Sequence, residues 1–177
     1  MAVEQYTESL VLKEMKCTIG ENRFGYIFPQ GDVANVDKIE KLLKLAGGKP
    51  KECELSDFSK GGKGKAKPEY VITFNNDIHT IIVIECKNTV KKHNSEQLNR
   101  PSAYAVDGVL YYAKFLKEGY NVIAIAVSGT NTDNMKVDTF YWLQRQDTYT
   151  RLEKAKDIIL EPPNYIELIK GNKLKKE

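Results

Sequence analysis

Three residues near the middle of the 177-residue chain have the types and spacing to do chemistry together: Glu69, Glu85 and Lys87. Glu85 and Lys87 close the run IIVIECK, whose β-branched apolar residues read as a strand. Side chains two apart on a strand share a face, so this carboxylate and ammonium project together while Cys86 points the other way. Charges at the end of a buried strand cost desolvation energy. The plain explanation is that Glu85 and Lys87 pair with each other. Glu69 opens a second one. It starts the preceding strand just after Pro68, and Asn75-Asn76-Asp77 supplies residues that tolerate positive φ in a hairpin turn. Two carboxylates from neighbouring strands then converge on one point. A divalent cation relieves their repulsion, and hard oxygen ligands favour Mg²⁺.

The elements that must position these residues are legible around them. His79 to Cys86 is an apolar run without alternation, and Asn121 to Ser128 (NVIAIAVS) is another. Such strands are covered on both faces, so helices must pack on each side of the sheet. Tyr70 to Phe74 is the strand led by Glu69, Val137 to Leu143 is a final strand suited to an edge, and Glu52 to Leu55 is a short candidate strand. Residues 3 to 17 carry apolar side chains at helical spacing. Asp32 or Asn35 would cap a second helix with Val36, Ile39, Leu42, Leu43 and Ala46 on one face, and Gly47-Gly48 stops it. Ser102 to Leu116 is a third helix, ended by Gly119. The expectation is an α/β fold with three layers, α/β/α, around a central mixed sheet. Residues 1–160 form the domain. Pro162-Pro163 breaks any long helix, and 161–177 reads as a solvated tail or a linker toward a further domain.

Composition sets outer limits. A net charge of +3 is too small to imply a nucleic-acid partner by itself. Its distribution says more: Lys60, Lys63, Lys65 and Lys67 fall in a glycine-rich stretch without an acid, and Lys91, Lys92 and His93 form a second knot. Both suit phosphate contacts, and both equally suit solvated loops. Three cysteines without metal-ligand spacing read as reduced thiols, and two distant histidines leave little for zinc. With no signal-like N-terminus and no apolar run of membrane length, the expected setting is cytoplasmic.

The ordered set GKGKAKPEYVI, IVIECK, KKH, AYAVDGVLYYAKFL and NVIAIAVSG resembles the PD-(D/E)xK nucleases. Pro68-Glu69 matches the first half of that signature and Glu85-Cys86-Lys87 the second. The likeness is to the N-terminal nuclease domains of restriction-modification enzymes that fuse a nuclease to an adenine methyltransferase, with type I restriction subunits more distant. It covers 61–129 well and the rest in order of elements.

That resemblance implies a restriction-endonuclease-like fold and a Mg²⁺-dependent endonuclease acting on double-stranded DNA, leaving 5′-phosphate and 3′-hydroxyl ends. Glu69, Glu85 and the main-chain carbonyl of Cys86 would bind the metal. Lys87 would hold or deprotonate the attacking water and offset transition-state charge. Lys60, Lys63, Lys65 and Lys67 would contact DNA. Aspartate is commoner at the position of Glu69, and the longer glutamate bears on the choice of Mg²⁺ over Mn²⁺. An additional acid from an earlier helix has two candidates, Glu14 and Glu40. From the helix after the motif, Asp107 is the polar candidate, since Gln97 is followed four residues on by Pro101 and breaks the usual Gln-x-x-x-Tyr pattern. His93 either touches DNA, orients Glu85 or sits in a turn. Target recognition would come from methyltransferase or helicase segments in cis or trans, and cutting both strands would call for a transient homodimer. Two other readings stand beside this one: a repair or recombination nuclease of the same fold, and a DNA-binding or assembly module without cleavage.

Overall fold

A computed structural model describes residues 4–33, 36–54 and 64–176. The described residues are mixed α/β: four helices and a seven-stranded mixed sheet whose strands lie side by side in chain order. Strands β1 (Gly20–Glu21), β2 (Gly25–Pro29), β3 (Tyr70–Phe74) and β4 (Thr80–Lys87) run antiparallel, each to the last. β5 (Asn121–Ser128) lies parallel to β4, and β6 (Lys136–Trp142) and β7 (Thr150–Arg151) return to antiparallel pairing. β6 is therefore interior, and the edge expected there belongs to the two-residue β7.

Continuity of apolar residues along β4 and β5 is explained by two separate cores. Ile81, Val83, Val122, Ala124 and Ala126 pack under helices α2 (Asp37–Ala46) and α3 (Ala105–Leu116). Ile82, Ile84, Cys86, Ile123, Ile125 and Val127 face the opposite way, where α1 (Glu4–Met15) contributes Val11 and Met15. The crossover through α3 lets β5 run parallel to β4. α3 is buried almost all round, because α2 covers the side turned from the sheet.

Several local expectations change. Val36 holds the N-cap position of α2 and makes no side-chain cap; Asp32 does not cap the helix, and Asn35 lies outside the described residues. Gly47, at φ +69°, ends it as expected. Asn75, Asn76 and Asp77 close the β3–β4 hairpin without positive φ; the Asp77 carboxylate instead accepts from His79 N (3.1 Å) and Thr80 Oγ1 (2.7 Å). Glu52 to Glu54 is not a strand, and Leu55 is not described. The largest change is at the C-terminal end. Where a tail was expected, α4 (Pro162–Lys176) forms, and Tyr165 and Ile169 enter the second core beside Val11 and Met15. Pro162-Pro163 breaks nothing there, because the first turn of a helix does not need those N–H groups.

Candidate active site

β3 and β4 place the acids together. Tyr70 pairs with Ile84 and Val71 with Val83, so extending the register by one residue sets Glu69 opposite Glu85. By strand parity both face the α2–α3 side, with Lys87 two residues further along that face. Glu85 is buried, at 1 % exposure. Glu69 Oε2 is also buried and accepts no hydrogen bond among the described residues. Burial pushes the Glu69 carboxyl far above the ordinary carboxylate range, and the charge of Glu85 and a hydrogen bond with it push the same way against the opposing pull of Lys49. At neutral pH the Glu69 carboxyl is therefore protonated.

The ion pair at this site comes from a residue absent from the sequence reading. Lys49, in the loop after α2, places Nζ on Glu85 Oε2, and the same ammonium lies 5.3 Å from the ring centroid of Tyr112. Lys87 Nζ donates to Ser102 O at 3.3 Å. The expected local alternative, a Glu85–Lys87 pair, is thus replaced by a long-range partner for Glu85. Tyr112 is held well above the usual tyrosine range by burial first and by the charges of Glu85 and Glu69 next, so it faces them as a neutral hydroxyl.

On α1 the acid whose charge reaches Glu69 is Glu8. Thr7 Oγ1 donates to Gly129 O (2.6 Å), just past β5, and this ties the start of α1 to that end of the sheet. Glu8 follows. Its carbonyl accepts from Tyr70 OH (3.3 Å), its carboxylate accepts from Gln30 Nε2 (3.3 Å), and its charge raises Glu69. Gln30 N in turn donates to Glu69 O (2.8 Å). Glu14 lies about 9 Å further along the helix axis, and Glu40 is paired with Lys65 at 3.0 Å. The spacing 8, 11, 15 puts Glu8 on the stripe of buried Val11 and Met15, a phase that Val3 and Leu10 obscure in the sequence. Lys49 had no comparable local signal.

Asp107 is occupied elsewhere. Its carboxylate accepts from Ser95 N (3.0 Å), Arg100 N (2.9 Å) and Ser95 Oγ, and so folds the loop before α3. His93 is not a surface turn residue: it is 2 % exposed, with Nδ1 2.7 Å from Ser128 Oγ and Nε2 2.7 Å from Asp138 Oδ2. Of the basic stretch, Lys65 is bound to Glu40, Lys67 is exposed, and Lys60 and Lys63 lie outside the described residues.

Among the described residues, no group of three or more His, Cys, Asp and Glu side chains is arranged to hold a metal ion. The Glu69–Glu85 pair supplies two carboxyl groups, and the orphaned Glu69 Oε2 is the observation that suits a hard cation there. A cleft of about 410 Å³ lined by Met15, Arg23, Phe24 and Glu161 shares no residue with this site. No described helix is long and apolar enough to cross a membrane, and no disulfide joins Cys17, Cys53 or Cys86. No family model, curated protein or solved structure matched the chain.

Proposed function

We propose that the chain is a metal-dependent DNA endonuclease domain of the PD-(D/E)xK type, with the restriction-endonuclease-like fold that the resemblance implies. The observation that supports it most is the convergence of Glu69 and Glu85, with Lys87 beside them on one sheet face. A buried Glu85 beside a Glu69 whose inner oxygen is orphaned is costly as a structural device and useful as a cation seat. Glu69, Glu85 and the carbonyl of Cys86 would hold Mg²⁺ or Mn²⁺. A bound divalent ion supplies polarisation of the phosphate and a lowered pKa for its water. Lys87, released from Ser102 O, would orient that water and offset charge building on the phosphate oxygens. Lys67, with Lys60 and Lys63, would contact the backbone of double-stranded DNA without reading sequence.

In this reading the domain is the cleavage module of a restriction-modification enzyme. Recognition would come from methyltransferase or helicase segments in cis or trans, and double-strand cleavage from a transient dimer on DNA. The Lys49–Glu85 contact favours one other reading, a DNA-binding module in which the lysine permanently replaces the metal.

Supercoiled plasmid with Mg²⁺ or Mn²⁺ tests the choice. Nicking or linearisation that is abolished by EDTA and reduced at least about 100-fold by Lys87→Ala is the expected result. Cleavage surviving Lys87→Ala would mean the active centre lies elsewhere. DNA binding without cleavage under either ion would favour the binding module.

A further inference from the structure

We infer that Lys49 is the resident counter-cation of the carboxylate pair and competes with the divalent ion for Glu85. The inference rests on the nuclease reading and concerns the protein before metal is bound.

Glu85 is buried at the end of a central strand, where an uncompensated charge is strongly disfavoured. Its compensation comes from Lys49, whose side chain is 17 % exposed. A lysine ammonium is a compact charge on a flexible stem, the side chain closest in character to a small bound cation. Partial exposure gives that stem a way out to solvent without backbone movement. Glu85 has no such freedom. Gly108 on α3 packs so close that a Cβ there would stand 2.9 Å from Glu85 Oε2, so α3 leaves that carboxylate little room to turn. The oxygen on which Lys49 sits is the one held in place, and a second cation approaching Glu85 meets an occupied position.

The loop is also anchored. Tyr111 OH donates to Ala46 O and, at 3.4 Å, to Gly48 O; Ser102 N donates to Pro50 O (3.3 Å), and Cys53 N to Asn99 O (2.8 Å). Ser102 is the residue whose carbonyl holds Lys87. Both lysines are thus set by one tied unit of 46–53 and 99–102. The Lys49 backbone is fixed at the site, and only its side chain needs to leave.

Mn²⁺ alone is the probe. Calorimetric titration of the wild-type protein, Lys49→Met, Lys49→Gln and Glu85→Gln should show both Lys49 variants binding Mn²⁺ at least about tenfold more tightly than wild type, and Glu85→Gln losing the ion. In EDTA the Lys49 variants should melt at lower temperature than wild type, and saturating Mn²⁺ should restore them, so their metal-induced rise in Tm exceeds that of wild type. Unchanged or weaker affinity in the Lys49 variants, with wild type binding through Glu85, overturns the competition and leaves the nuclease reading standing. No binding by wild type or either variant overturns both. Should neither Lys49 variant fold, ¹⁵N-lysine spectra of wild type, assigned with Lys49→Arg, take their place. Loss of the protected Lys49 Nζ resonance on Mg²⁺ titration supports displacement, and a resonance unmoved at saturation overturns it.

Discussion

Glu69 and Glu85 are each tolerable in the fold only because the other partners of the site adjust. One carboxyl keeps a proton, the other keeps a lysine, and a neutral tyrosine hydroxyl stands by. This has a pH signature. The folded pKa of Glu69 stands above its ordinary value of 4.5, so its contribution to stability is fully present below that pH and declines as pH rises toward the folded value. Glu69→Gln keeps the shape and cannot ionise. In EDTA it should raise Tm, by more at about pH 8 than at about pH 5, with a gain on the order of 1 kcal/mol at the higher pH. Thermal melts across that range check it. A lower Tm at both ends would show that Glu69 is an ordinary satisfied acid.

At the scale of elements, the approach of α3 to β4 decides whether the site can exist. Alanine in place of glycine inside a helix ordinarily stabilises by up to about 1 kcal/mol. At Gly108 the added Cβ would press on Glu85 Oε2 and Pro101 O, both at 2.9 Å, and neither a wedged carboxylate nor a backbone carbonyl yields easily. Overpacking should win, and Gly108→Ala is expected to cost about 1–3 kcal/mol in chemical denaturation; a stabilised variant would show that α3 has slack. α4 supplies a second case. Tyr165 is wholly buried, and its hydroxyl accepts from Leu160 N at 3.0 Å. Tyr165→Ala should lose about 3–5 kcal/mol, the usual range for a large aromatic truncated in a core. A loss under 1 kcal/mol in the same unfolding experiment would mean that α4 is only loosely docked.

Across the whole molecule, His93 is the piece that joins distant parts. It leaves a 3-10 turn (Val90–Lys92) after β4 and bridges Ser128 at the end of β5 to Asp138 on β6. Arg151 on β7 adds a contact to Asp138 at 3.3 Å. Burial works to raise Asp138, but the His93 hydrogen bond and the charges of Arg151, His93 and Lys156 outweigh it and hold the carboxyl below its ordinary value. For a depressed acid the stabilisation is present above the unfolded value of 3.8 and is lost as pH falls through the lower folded one. Asp138→Asn should therefore be less stable than wild type at neutral pH, with the gap narrowing in acid. Denaturation curves between about pH 2 and pH 7 test this, and a gap that holds constant would sink it.

The sequence by itself determined the strands of the centre, the shared face of Glu85 and Lys87, and the need for helices on both faces. Each follows from local rules: parity along a strand, unbroken apolar runs, and a hairpin too short to pair otherwise. Only the tertiary structure decided which charges meet. Lys49 is 36 residues from Glu85, Glu8 is 61 from Glu69, and His93 is 45 from Asp138. No periodicity links such pairs, because each is made by the packing of separate elements. The docking of α4 was hidden for a related reason. Two prolines and a lysine-rich end read as a stop when taken alone, whereas Tyr165 and Ile169 acquire their meaning only against Val11 and Met15, at the other end of the chain. Chemistry that rests on neighbours in sequence is legible in a string of residues; the counter-charge on Glu85 rests on neighbours in space.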